Sequence, residues 1–167
     1  MSRRLVLLSL ALGVGVVVAC TTPQSDARFV ASVPDRASFP PVAQVFVRTC
    51  GTLDCHGTVA RNFKIYGDVG LRYAATDRPS VLTPTTSDEM DRTFESFVGL
   101  EPETLTAVVN AGGASPERLT FLRKARGTEH HKPGPVITAG DDRDRCFTSW
   151  LAGATDVAAC QTALTYP

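Results

Sequence analysis

Two thiols and an imidazole lie close together in Cys50-Gly51-Thr52-Leu53-Asp54-Cys55-His56-Gly57. Thioethers from Cys50 and Cys55 can fix a porphyrin covalently, and His56, beside the second thioether, is then placed to be the proximal iron ligand. The common attachment signature, C-x-x-C-H, has two residues between its cysteines; here there are four. The same residues also fit a short Cys50–Cys55 disulfide beside a bystander histidine. A third chemistry is a zinc site from Cys50, Cys55, His56 and a remote histidine, since zinc accepts all of these ligands. A haem iron has a second axial position to fill. His130 and His131, in the Gly/Pro-bounded loop Thr128-Glu129-His130-His131-Lys132-Pro133-Gly134, could fill it, or could be solvated surface histidines; the Met90 thioether is a further alternative.

The start of the chain sets the compartment. Arg3 and Arg4 precede an apolar run, Leu5 to Val18, and a small residue stands before Cys20, which is the pattern of an export signal over residues 1–19. Val17-Val18-Ala19-Cys20 resembles the lipobox of bacterial lipoproteins, in which Cys20 is diacylated. Two acyl chains hold a protein stably on a membrane. Thr21 is not the aspartate that resembles an inner-membrane retention signal, so the resemblance to known lipoproteins implies an outer-membrane address in a bacterial cell envelope. Residues 20–39, rich in Thr, Pro, Ser, Asp and Arg, then read as a flexible tether, leaving residues 40–167 as one domain with a modest core. Basic and acidic residues balance at 17 each, with two of the arginines inside the leader, so there is no basic footprint for nucleic acid. Export makes oxidised or haem-bound cysteine plausible. Cys146 and Cys160, with no histidine near either, read as a disulfide.

The elements that must position these residues are mostly helical. Phe39-Pro40-Pro41 opens a helix, because proline is accepted in the first turn, and Val42, Val45, Phe46 and Leu53 recur at near-helical spacing. That puts the cysteine motif at the end of a short amphipathic helix. Arg61 to Gly67 reads as a short strand or an extended loop. Thr86-x-x-Glu89 is a capping box leading a helix whose stripe is Met90, Phe94, Phe97 and Val98. Pro102 starts a helix with Leu105, Val108 and Val109 inward, stopped at Gly112-Gly113. Ser115-Pro116 predicts another, with Ser115 as N-cap and Leu119 and Leu122 buried, ending at Gly127. Asp141-Asp142 opens a helix with Phe147, Trp150 and Leu151 on its apolar face, Trp150 acting as a packing anchor. No nucleophile–base constellation, paired catalytic carboxylates or phosphate loop is present, so the sequence points away from an enzyme.

Three segments in order carry a resemblance. Cys50-x4-Cys55-His56-Gly57 followed by Arg61-Asn62-Phe63-Lys64-Ile65-Tyr66-Gly67 resembles the cytochrome-like module of planctomycete surface proteins and related myxobacterial lipoproteins. Ser115-Pro116-Glu117-Arg118-Leu119 through Gly127 is similar to that module's Pro-Glu-Arg helix, whose following histidine falls on His131. Asp142 to Gly153, with Trp150, is similar to its closing helix. The glycine pair after the module's histidine is Lys132-Pro133 here. The resemblance implies a small cytochrome c-like helical domain with long loops. It further implies haem c on Cys50 and Cys55, with His56 proximal and His131 distal ahead of His130 and Met90. Such a protein passes single electrons between redox partner proteins at the membrane surface.

Overall fold

Six α-helices and one 3-10 turn account for the regular structure of the computed structural model, which describes residues 29–166; no strand occurs among the described residues. The protein is a mostly α domain with long loops. The expected leader, the expected lipidation position Cys20 and residues 20–28 of the expected tether lie outside the described residues. None of the described helices is long and apolar enough to cross a membrane.

Helix α1 (Phe39–Cys50) is the centre of the domain. Pro40 and Pro41 occupy its first turn, where their missing N–H groups cost nothing, and Gly51 ends it by donating its N–H to Val47 O at 3.0 Å. Phe39, Val42, Ala43, Val45, Phe46 and Val47 are all buried, so the helix is covered on most of its circumference rather than along one stripe. Leu53 does not join that core. Gly51 has ended the helical period before it, and its side chain is 56% exposed.

Around α1 pack α2 (Ser87–Val98), α5 (Asp142–Leu151) and α6 (Val157–Ala163). α2 begins with the predicted capping box: Thr86 Oγ1 accepts the Glu89 N–H, and Glu89 accepts the Thr86 N–H. Its Phe94 and Phe97 are buried, and Met90 and Val98 pack partly covered against the same core. α5 is capped by Asp141, which accepts the Asp144 N–H at 2.8 Å. A disulfide between Cys146 and Cys160 joins α5 to α6. Closing a loop of that length stabilises a fold by about 3 kcal/mol in the chain-entropy model. α3 (Pro102–Asn110) presents buried Leu105 and Val108.

Two local expectations are corrected. Ser115 makes no side-chain cap and sits at φ +53°, so Pro116–Arg118 forms only a 3-10 turn; Leu119 is extended, and helix α4 begins later, at Thr120–Ala125. Its free N-terminal donor is met from a distance instead: Glu101 accepts the Thr120 N–H at 2.7 Å and the Thr120 hydroxyl at 2.9 Å. The second correction is where the domain starts. It takes in the chain from Ala31, not from residue 40. Ser32 exchanges two hydrogen bonds with Thr106, and the Trp150 indole N–H donates to Asp35 O at 3.0 Å. Backbone bonds of this kind leave no apolar period, which is why composition reads the segment as tether.

The core is aromatic. Phe46 touches the rings of Phe39, Phe63, Phe97, Phe121 and Phe147 at centroid distances of 4.5–6.3 Å, while Trp150 lies against Phe39, Phe94 and Phe97. Most of these pairs are tilted or edge-on, the arrangements that the ring quadrupole favours.

Candidate functional site: a mostly apolar cavity lined by two histidines

Beside this aromatic cluster is a cavity of about 480 Å³, within the range that holds a cofactor-sized group. Its walls are mostly apolar: Phe46 and Cys50 from α1, Phe63 from the following loop, Phe121 and Ala125 from α4, Ile137, and Phe147 from α5. The imidazoles of His56 and His131 also line it, as do the polar side chains of Arg61, Asn62, Glu101, Thr120 and Lys124.

The chain reaches His56 through a tight turn at the end of α1. Cys55 N–H donates to Thr52 O, His56 N–H to Cys50 O at 2.9 Å, and Gly57 N–H to Thr52 O at 2.9 Å. The turn lies flat because glycines meet there. A Cβ on Gly57 would stand 1.9 Å from Gly51 O, and one on Gly70 would stand at the same distance from the same oxygen. No side chain fits in either place.

Both histidines are held by the same device. His56 Nδ1 lies 3.0 Å from Phe63 O, and His131 Nδ1 lies 3.2 Å from Gly134 O. A carbonyl oxygen can only accept, so Nδ1 carries the hydrogen in each ring, and in the neutral form each Nε2 keeps its lone pair. A backbone carbonyl on Nδ1 orients an imidazole in the way metal-binding histidines are held. Burial pulls the His56 pKa below its ordinary value of 6.5; the Phe63 carbonyl opposes this, and His131 and Arg61 add to it. The net direction is down, which keeps His56 neutral at pH 7.

The two ring centroids are 6.2 Å apart and the ring planes differ by 28°. A metal–imidazole bond is about 2 Å long, so two imidazoles on opposite sides of one metal place their centroids on the order of 6 Å apart. The spacing, the free Nε2 lone pairs and the apolar walls fit a bis-histidine haem. Arg61 and Lys124 bring positive charge to the lining and Glu101 negative charge.

Of the residues singled out in the sequence, Cys50, His56 and His131 come together on this cavity. Cys55 is half-buried on the same turn, next to His56, but is not part of the lining. His130 is exposed, and Met90 packs against the core away from the cavity. Cys50 and Cys55 are free thiols, so the short disulfide is not formed, while Cys146–Cys160 is. Among the described residues no three of His, Cys, Asp or Glu converge as a metal-ion cage. Lining residues that the sequence did not single out are Phe121, Lys124 and Ile137. The signal for the first two was the i, i+3 spacing on α4.

Burial, reinforced by the nearby Cys55 and opposed by Arg143, pushes the Cys50 thiol up to about 12. It is therefore a protonated thiol at neutral pH and a poor nucleophile. In the folded, haem-free chain at pH 8, alkylation of Cys50 by iodoacetamide is expected to run on the order of 10³-fold slower than in the urea-unfolded chain. Peptide mass spectrometry checks this, and equal labelling in the two states would show the burial argument to be wrong.

No family model, curated protein or solved structure matches this chain.

Proposed function

We propose that the protein is a monohaem c-type cytochrome, anchored by lipid at Cys20 to the bacterial cell envelope, that carries electrons outside the cytoplasm. The observation that carries this reading is the pairing of His56 and His131: each ring has its Nδ1 on a backbone carbonyl, and the centroids stand 6.2 Å apart on one mostly apolar cavity. Cys50 and Cys55 would provide the thioethers. His56 would hold the proximal position and His131 the distal one. Haem held by both imidazoles would supply one-electron exchange rather than oxygen or peroxide chemistry. The chain's own residues do the rest. Phe46, Phe63, Phe121 and Phe147 exclude water, and the Phe63 and Gly134 carbonyls keep both imidazoles in the ligating tautomer. The partners are redox proteins at the membrane surface, reached through the tether. The outer membrane is the favoured location.

The test is expression of the full chain in a host with c-type maturation machinery, followed by the absorption spectrum of the reduced, denatured protein in pyridine. A haem band that survives acid-acetone extraction supports the reading, and His131→Ala should then convert the ferric spectrum from low spin to high spin. A colourless protein in which Cys50 and Cys55 are oxidised to each other would sink the proposal. It would leave a disulfide-stapled surface lipoprotein.

A further inference from the structure

His131 sits near the apex of a loop that starts and ends on α4. At the outgoing end, the N–H groups of Thr128 and Glu129 both donate to Arg123 O, at 2.9 and 3.2 Å. At the returning end, the N–H groups of Val136 and Ile137 both donate to Ala125 O, at 2.8 and 3.1 Å. Gly127, at φ +74°, lets the chain turn off the helix, and a Cβ there would meet Pro135 at 3.0 Å. Between these ends, one carboxylate ties the loop to the helix. Glu129 Oε2 is 2.9 Å from Arg123 Nε, and Glu129 Oε1 is 2.8 Å from Lys124 Nζ. Lys124 has a second bond, donating to His130 O at 3.0 Å, so a single ammonium joins the carboxylate to the residue before His131. Arg123 is itself anchored to the start of α4 through Thr120 Oγ1 at 2.8 Å and Glu117 O at 3.1 Å.

We propose that Glu129 is a positioning residue for His131: gripped by Arg123 and Lys124 on α4, it straps the histidine loop down so that His131 is presented to the cavity within 6.2 Å, centroid to centroid, of His56. The proposal rests on the haem reading for its function, not for its geometry. α4 also lines the cavity through Phe121, Lys124 and Ala125, so one helix sets both the wall and the second imidazole. Cutting the strap leaves α4 in place, because its N-terminus is capped independently by Glu101. What changes is how much of the time His131 is in position.

Glu129→Gln in the full chain, loaded with haem by the maturation host, tests this. The variant should show a larger high-spin fraction in the ferric spectrum. It should also bind added imidazole, a probe that competes with His131, up to about fivefold more tightly than the parent, since an exposed ionic tie is weak and apparent affinity follows the competent fraction. Glu129→Asp, which keeps the charge, should restore part of the low-spin spectrum. Glu95→Gln removes a different exposed carboxylate, one paired with Arg92 and Arg36, and should match the parent. Spin state and imidazole affinity unchanged in Glu129→Gln would overturn the proposal, as would an equal change in Glu95→Gln. If the chain takes up no haem, the proposed function falls, and the strap is read by amide hydrogen exchange instead. Roughly fivefold faster exchange at Gly134 N–H in Glu129→Gln, with Thr120 N–H unchanged, supports it; unchanged exchange at Gly134 overturns it.

Discussion

Phe46→Ala is expected to destabilise the domain by about 3–5 kcal/mol, the cost of emptying a large aromatic site in a packed core. Phe46 is 1% exposed and its ring meets five others, so no neighbour can close the space without breaking a second contact. It also separates the cavity from the core, because its ring lines the one and packs into the other. The void would therefore merge with the cavity and admit water next to His56. Urea unfolding of parent and variant measures the loss. Phe46→Leu, which keeps most of the volume, should lose clearly less. A drop below about 1 kcal/mol for the alanine variant would mean that the aromatic cluster repacks freely.

The second large effect falls on Glu89, far from the cavity. Its side chain is 1% exposed and faces Arg72, also 1% exposed, in a bidentate pair: Arg72 Nε donates to Oε1 at 2.7 Å and Nη2 to Oε2 at 3.2 Å. The same carboxylate accepts the N–H groups of Thr86 and Tyr73 at 2.9 and 3.1 Å. Burial alone would raise its pKa; the hydrogen bonds from Thr86, Arg72 and Tyr73 outweigh it and hold the value below the ordinary 4.5. A carboxylate depressed in the fold stabilises above the unfolded pKa and loses that contribution as pH falls through the folded one. Stability of the parent should thus decline on acidification below about pH 4.5. Glu89→Ala leaves the Arg72 guanidinium buried, with only Asp77 at 3.9 Å as a counter-charge, and should cost about 3–5 kcal/mol at pH 7. The variant should also lack the part of the acid slope that Glu89 provides. An acid slope identical to the parent's would assign that slope to other groups.

These two residues show how far the sequence could be read. The capping box at Thr86 and Glu89 is a local pattern, and the structure contains it. Glu89's larger role was not legible, because Arg72 and Tyr73 reach it across the loop before α2 and nothing near them in sequence marks a buried cation. The same contrast holds at the cavity. α1 and the turn after it follow from the two prolines, the apolar residues and Gly51, all of which act within a few residues. His131 is different. Residue type and loop context offer it only as one of two adjacent histidines, and only the resemblance ranks it ahead of His130. What separates it from His130 is the hydrogen bond to Gly134 and the strap from Glu129 to α4, both products of how the loop folds back. Trp150 was legible as an anchor, but not as the donor that brings Asp35, and with it the chain from Ala31, into the domain. Ser115 misled for a physical reason: at φ +53° it cannot cap, and Glu101, from another segment, caps α4 instead.

The crowding of Gly51, Gly57 and Gly70 bears on descent. Two positions that would each put a Cβ 1.9 Å from one carbonyl oxygen cannot drift independently, since a methyl group at either would force the turn open. Cysteines can be lost with a cofactor, and a distal loop can be exchanged for another. The glycines answer to steric exclusion alone, with or without haem. Distant kin of this chain should therefore be recognised by a glycine directly after the first cysteine, another directly after the histidine and a third in the loop beyond, even where the spacing of the thiols has changed.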